Sequence, residues 1–245
     1  MKAMILAAGF GERLRPLTET TPKPLLKIHG KPIIQYHIER LARAGIRELV
    51  INTSWLGEQI EAFVGDGSRF GVQVAWSREA QPLETGGGIR RALPLLGCEP
   101  FVVINGDVWS TYTYSRLADF RLEESVDAHL ILVDNPEHHP DGDFELDVDE
   151  RVRHPVGSDD APPATLTFSG ISVMRPELFA LYPAASESFP LRDVLRSSIE
   201  AGCVSGERFT GVWWDVGTVE RLETLNALLA NSDEPGVLKP KLRVG

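Results

Sequence analysis

Cysteine is nearly absent from this 245-residue chain: Cys98 and Cys203 are the only two, with no paired spacing. That excludes a disulfide framework or a zinc-finger ligand pattern, and it fits a reducing cytoplasm. Long hydrophobic runs are missing as well. The opening MKAMILAAGF holds one short apolar stretch that stops at Gly9 and turns charged at Glu12 and Arg13. It is too short for a secretory h-region or a membrane span, so a buried first strand is expected, with no membrane partner. Positive charge is in deficit: 25 Lys and Arg stand against 35 Asp and Glu, a net charge of −10. An acidic surface repels polyanions, so non-specific binding to nucleic acid or acidic membranes is excluded. A small phosphorylated ligand is not, because a few local cations and backbone N–H groups suffice to hold one. No internal repeat is evident, and nothing in the sequence reports an oligomeric state.

What is present is an ordinary core composition, 42% hydrophobic and 24% charged residues. Short apolar runs at residues 3–6, 48–52, 72–76 and 101–104 read as strands. Between them, residues 31–44, 57–64 and 89–96 read as amphipathic helices, the first with Pro32 in its first turn and Gly45 as its stop. This alternation predicts an α/β fold with a Rossmann-like mixed, mostly parallel central sheet flanked by helices. Further on, residues 128–133 and 166–174 read as strands, and 191–201 and 219–230 as helices. Residues 135–143 and 153–163 read as polar loops. One domain over residues 1–230 is expected, with a distinct subregion over about 110–205 and a loosely packed tail at 231–245.

Two segments carry chemistry. Gly9-Phe10-Gly11 follows the first strand and is trailed by Arg13 and Arg15, so backbone N–H groups and cations converge on one turn. Neither common phosphate-loop pattern fits: a dinucleotide fingerprint needs glycine where Leu14 stands, and Gly-Lys-Ser/Thr is absent. On the glycines alone, an ordinary strand-to-loop turn is the better reading. Asn105-Gly106-Asp107 places a carboxylate at the end of an apolar strand, the edge where open parallel sheets bind ligands, although a capping Asp also fits. Asp215 sits before a helix, where the same two readings apply. Gly170, inside a strand-like run, suggests a bulge or a close approach to a ligand. His138-His139 reads as a solvent-exposed loop pair rather than a metal site.

Read whole, residues 6–25, LAAGFGERLRPLTETTPKPL, closely resemble the signature of the sugar-phosphate nucleotidyltransferases. The resemblance implies the nucleotide-diphospho-sugar transferase fold. It also implies a triphosphate held by Ala7, Ala8, Gly9 and Gly11, with Arg13 on its phosphates and Lys23 near the reacting centre. Lys23 stands between two prolines, a cation on a stiffened backbone. Asn105-Gly106-Asp107 and Asp215-Val216-Gly217-Thr218 resemble the family's Mg²⁺ elements, so Arg13, Lys23 and Asp107 become the catalytic candidates and Asp107 with Asp215 the metal pair. Glu79 to Gly88 resembles the stretch that lies against the base, with Glu84 where the family has glycine. There Gln81 would read the base edge and Gly86 and Gly87 would let backbone approach it, beside Asn105. Asp134, Asp143, Glu145, Thr167, Ser169 and Gly170 stand where relatives gather sugar contacts.

The segments Pro82 to Gly88, Asn105 to Trp109, Val133 to His139, Leu166 to Val173 and Asp215 to Leu222 narrow the resemblance over nearly residues 1–230. They point to UTP and N-acetylmuramic acid α-1-phosphate as substrates, and to peptidoglycan recycling. The lactyl carboxylate of that sugar calls for a cation, with Arg153, Arg175 and Arg192 as candidates. The chain lacks the hexapeptide repeats of some longer relatives, so an appended β-helix module is not expected. Another nucleotide or sugar 1-phosphate is the nearest rival reading. A non-catalytic nucleotide-sugar binding module is the rival of another class, and a nicotinamide oxidoreductase is weaker.

Overall fold

The computed structural model describes residues 1–156, 164–180, 182 and 186–230. The first part of the chain forms β1 (Ala3–Leu6), the small hairpin β2 (Lys27–Ile28) and β3 (Lys31–Pro32), then α1 (Ile33–Arg43), β4 (Glu48–Thr53) and α2 (Gly57–Val64). It continues through β5 (Gln73–Arg78), α3 (Glu84–Leu96), β6 (Phe101–Asn105), β7 (Val108–Ser110), α4 (Ser115–Ala118) and β8 (Ala128–Val133). The remainder forms β9 (Phe144–Leu146), β10 (Val152–Arg153), β11 (Thr165–Met174), α5 (Glu177–Ala180), α6 (Leu191–Glu200), β12 (Val204–Arg208), β13 (Trp213–Asp215) and α7 (Val219–Ala230).

The main sheet runs β5-β4-β1-β6-β11-β8-β12, with β9 and β10 continuing from the first residues of β11. Neighbours are parallel in β4–β5, β1–β4, β1–β6 and β8–β12, while β11 runs antiparallel to both β6 and β8. This is the mixed, mostly parallel sheet flanked by helices that the hydrophobic pattern predicts. Strand side chains alternate between faces. Met4, Phe101 and Val103 enter the core that α3 and α6 cover, while Ala3, Ile5, Val102 and Ile104 enter the core under α1 and α2. Ile34, Ile38 and Leu41 make the buried stripe of α1 at helical spacing.

A third apolar cluster lies off the sheet and matters most for function. Leu14, Leu26 and Ile28 from the N-terminal segment meet Trp109 from β7, Val216 after β13, and Leu222, Leu225 and Leu229 from α7. It fastens three separate stretches of chain to one another.

Two local expectations change. Residues 31 and 32 belong to β3, with Pro32 extended, so α1 begins only at Ile33. More telling, α3 begins at Glu84 and takes Gly86, Gly87 and Gly88 into its first turns. A glycine inside a helix costs about 1 kcal/mol relative to alanine, so the composition argues for a turn. Tertiary packing overrides it. A Cβ on Gly86 would stand 2.6 Å from the Phe189 ring, one on Gly87 2.2 Å from the Glu187 carbonyl oxygen, and one on Gly88 2.8 Å from Glu79 Oε1. The strands β7, β9, β10 and β13 carry too few residues to show a period, and β12, Val-Ser-Gly-Glu-Arg, has no apolar run, so the hydrophobic pattern misses them. The 231–245 tail and residues 157–163 of the second loop lie outside the described residues.

Two buried imidazoles make stability depend on pH. Burial pushes His37 down to about 3 and His129 down to about 4. Below its ordinary range near 6.5 the unfolded chain binds protons at both positions while the folded chain does not, so acid favours unfolding. The melting temperature is expected to stay level above pH 7 and to fall between pH 6.5 and 4. Replacing both histidines by glutamine should flatten that fall, as thermal unfolding across pH would show.

Candidate active site

The N-terminal loop leaves β1 at the edge where the parallel strands end. Its first amide is fixed at once: Ala7 N–H donates to Asn52 Oδ1 at 2.8 Å, and Asn52 Nδ2 donates to Glu79 Oε1 at 2.7 Å. Glu79 Oε2 in turn accepts from the Leu83 amide at 2.9 Å. This buried chain of polar groups joins the first loop to the second, and a satisfied network in low dielectric is stiff. The apolar periodicity did not single out Asn52 or Glu79. Both end or follow a parallel strand at the same sheet edge as Asp107, and that position was the available signal.

Farther along the loop, Gly11 adopts φ +67°, and an added Cβ would stand 2.8 Å from Thr18 Cγ2. Thr18 closes the turn by donating its hydroxyl to the Gly11 carbonyl at 2.8 Å. Only glycine fits there. The chain then winds through short 3₁₀ turns, of which Lys23–Leu25 follows Pro22 and contains Pro24, so Lys23 stands between two prolines. Lys23 reaches across and places Nζ 2.5 Å from Asp107 Oδ2, with its side chain 13% exposed.

Ala7, Ala8, Gly9, Gly11 and Lys23 line one half of the cleft, facing Pro82, Glu84 and Thr85 across it. Asn105 and Asp107 form its floor and also line the second half, together with Arg13, Thr167, Ser169 and Asp215. The two halves therefore meet at Asp107. Burial pushes the Asp107 carboxyl up, but the charge and hydrogen bond of Lys23 outweigh it and hold the group below the usual carboxylate range.

Asp215 reaches the same place from far along the chain. β13 pairs antiparallel with β7, setting Asp215 opposite Val108, and the Val216 amide donates to the Asp107 carbonyl at 2.8 Å. The two aspartates are thus diagonal neighbours in a ribbon that Trp109 anchors in the third cluster. Asp215 Oδ1 accepts from Arg221 Nη1 at 2.8 Å and lies 3.0 Å from His138 Nε2. As a donor set, two carboxylates suit a hard divalent cation. Among the described residues no group of three or more His, Cys, Asp or Glu stands ready to hold a metal. A Mg²⁺ here would complete its shell with substrate phosphates and water, the usual arrangement for that ion.

Several expected contacts fall elsewhere. Gly86 and Gly87 face the 187–189 segment, and both donate their amides to the Phe189 carbonyl, so their lack of a side chain serves packing rather than approach to a base. Gln81 is exposed and lies just outside the cleft lining, where its neighbour Pro82 and the next residues do line it. Asp134 is paired with Arg208 at 2.6 Å, and Glu145 accepts from the Val156 amide, both away from the lining. Gly170 makes the bulge in β11, at φ +76°, and what approaches it closely is the Asn105 side chain, 2.7 Å from its would-be Cβ. It shapes the floor through Asn105. Asp143 lines the second half while its Oδ2 holds the Phe168 amide at 2.8 Å. Arg153 pairs with Asp147, Arg175 donates to carbonyls of residues 122, 123 and 126, and Arg192 sits by Asp193, so none of the three enters the cleft. In their place stand Trp213, whose Nε1 donates to the Ser169 carbonyl at 2.9 Å, and both His138 and His139.

A loop with a lysine on a strand-end carboxylate, a second carboxylate beside it and a two-part cleft on a mixed sheet define a nucleotide-handling transferase. The chain belongs to the nucleotidyl transferase family, whose model matches residues 2–232, and within it to the sugar-phosphate nucleotidyltransferases. Over 231 residues, 93% of this chain and 98% of the relative, it is 53% identical to the N-acetylmuramate alpha-1-phosphate uridylyltransferase of Neisseria meningitidis serogroup B. It is 32% identical to the protein of the same name from Caulobacter vibrioides, over 94% of this chain and 97% of that one. Among solved structures, a putative glucose-1-phosphate thymidylyltransferase from Bacillus anthracis superposes with a TM-score of 0.82 over 96% of this chain and 97% of that one, at 22% identity. That last likeness is one of fold. No helix among the described residues is long and apolar enough to cross a membrane.

Proposed function

We propose that the protein transfers UMP from UTP to N-acetylmuramic acid α-1-phosphate, giving UDP-N-acetylmuramic acid and pyrophosphate. The observation that carries the reaction class is the junction at Asp107, where Lys23, Asp215 and both halves of the cleft converge. The choice of sugar and nucleotide leans on the 53% identical relative.

The chemistry follows from charge. A phosphate oxygen of the sugar 1-phosphate attacks the α-phosphorus of UTP, and the bond to the β-phosphate breaks as pyrophosphate leaves. The nucleophile is already an anion, so no general base is needed. What the site must do is align the two phosphates and offset their repulsion. Ala8, Gly9 and Gly11 offer a tight backbone turn for the triphosphate, while Lys23 and Arg13 supply cations. Asp107 and Asp215 would hold Mg²⁺, which when bound adds charge stabilisation worth several kcal/mol. Lys23 is expected to leave Asp107 for a phosphate once the ligand brings its own negative charge.

In the first half of the cleft, Pro82, Glu84 and Thr85 fit the nucleoside end, with Gln81 at its rim. In the second, Thr167, Ser169 and Asp143 fit the sugar. Residues 1–230 act as one domain in this reading, working in the cytoplasm in peptidoglycan recycling. A panel of nucleoside triphosphates and sugar 1-phosphates with Mg²⁺, scored by pyrophosphate release, tests it. UTP with N-acetylmuramic acid α-1-phosphate should give the fastest release. No pyrophosphate from any pair would remove the reaction class, whereas a faster different pair would remove only the substrates.

A further inference from the structure

Glu84 opens α3 on the wall of the first half of the cleft, with its backbone in the left-handed region at φ +58°. Glycine takes that conformation freely, whereas a residue with a Cβ is strained there. Strain of this kind gathers at functional sites. A carboxylate in a first helical turn also suits the helix dipole. The dipole does not call for a left-handed residue, however. An acid at position 85, where φ is not positive, would serve it without strain.

The other polar side chains of this half are already committed. Asn52 is held at both polar atoms, by the Ala7 amide and by Glu79, and Glu79 is held by Asn52 and by the Leu83 amide. Thr85 Oγ1 accepts from the Leu191 amide at 2.9 Å. Lys23 and Asp107 pair with each other at the floor, beside Asn105. Glu84 is exposed, and among the described residues no hydrogen bond or ion pair engages its carboxylate. Its two oxygens are free acceptors on the cleft wall.

An unpaired carboxylate repels phosphate, so its place is against the uncharged part of a nucleotide. Within that part, uracil presents one N–H between two carbonyl oxygens. A carboxylate set there would put its second oxygen against a carbonyl. The ribose presents hydroxyls on adjacent carbons, two donors matched to the two acceptors of a carboxylate. Resting on the UTP reading above, we infer that Glu84 accepts hydrogen bonds from the ribose 2′- and 3′-hydroxyls. It thereby selects ribonucleotides over their 2′-deoxy forms, and the strained backbone is what sets the carboxylate on the wall.

The test compares UTP with 2′-deoxy-UTP, which differ by one hydroxyl, at saturating N-acetylmuramic acid α-1-phosphate and Mg²⁺. The measured quantity is the ratio of kcat/KM for the two nucleotides in the wild type and in Glu84→Gly, with thermal unfolding of both proteins. The wild type should favour UTP at least about tenfold, roughly 1.4 kcal/mol, as the loss of a hydrogen bond to a charged acceptor implies. In Glu84→Gly the ratio should fall to within about threefold of one, through a raised KM for UTP with kcat little changed. The variant should melt no lower than the wild type, because glycine accepts the left-handed φ without strain. Retention of the preference by Glu84→Gly would overturn the assignment. Equal losses on both nucleotides, which a merely structural role would give, would overturn it as well. A wild type that turns over both nucleotides equally would do the same while leaving the reaction class intact. Turnover of other nucleotides without turnover of UTP would overturn the UTP reading and this assignment together.

Discussion

Asp107→Asn is expected to yield a folded protein whose transfer rate has fallen about a hundredfold to a thousandfold. The size comes from the several kcal/mol that metal-borne charge stabilisation contributes, at 1.36 kcal/mol per factor of ten. Folding should survive because the ribbon depends on backbone groups: the Asp107 carbonyl still accepts from Val216, and an asparagine oxygen still faces Lys23. The ion pair that is lost is largely buried, with side chains 13% and 32% exposed, so a lower melting temperature is expected beside the loss of rate. Binding of UTP alone should weaken far less than turnover, because the loop from Ala7 to Gly11 is untouched. Steady-state rates with Mg²⁺, beside thermal unfolding of the same preparation, check the prediction. A variant within a few-fold of wild type would take Asp107 out of the metal role.

The second large effect is structural. Trp109 is 0% exposed and is the largest side chain of the third cluster, with Arg40 5.4 Å from its ring and Tyr36 edge-on to it. Trp109→Ala should cost about 3–5 kcal/mol, the range for removing a buried aromatic ring. For a chain of this size that lowers the melting temperature by roughly 6–20 °C. The residue lies beneath the β7–β13 ribbon, so the two aspartates should also lose their mutual position, and kcat should fall even at temperatures where the variant remains folded. Trp109→Phe keeps much of the volume and should retain most of both. Full activity in a destabilised Trp109→Ala would show that the aspartates are held by something other than this cluster.

The contrast between these two residues shows what a sequence makes legible. The loop from Ala7 to Lys23 is consecutive, and its chemistry is written in adjacent residue types. The strand preceding Asp107 is an unbroken apolar run, so its end is easy to place. Asp215 was visible only through its resemblance, because β13 is three residues long and its partner β7 lies about a hundred positions earlier. Gly86 and Gly87 show a limit of a different kind: a glycine required by backbone approach to a ligand and one required by a neighbouring carbonyl look alike in sequence. Asn52, Glu79 and Trp213 acquire their roles from partners distant in the chain. His138 and His139 read as solvent-facing, and they are substantially exposed, but their ring nitrogens turn inward to carboxylates that local sequence could not supply. Arg153, Arg175 and Arg192 had the right charge and the wrong location.

The most direct measurement of the central proposal is a single ratio. Initial pyrophosphate release with UTP and N-acetylmuramic acid α-1-phosphate is divided by release with GTP and mannose 1-phosphate, at equal concentrations and with Mg²⁺. A ratio of at least about ten, equivalent to 1.4 kcal/mol or more of discrimination, is predicted. A ratio below one would contradict the assigned substrates.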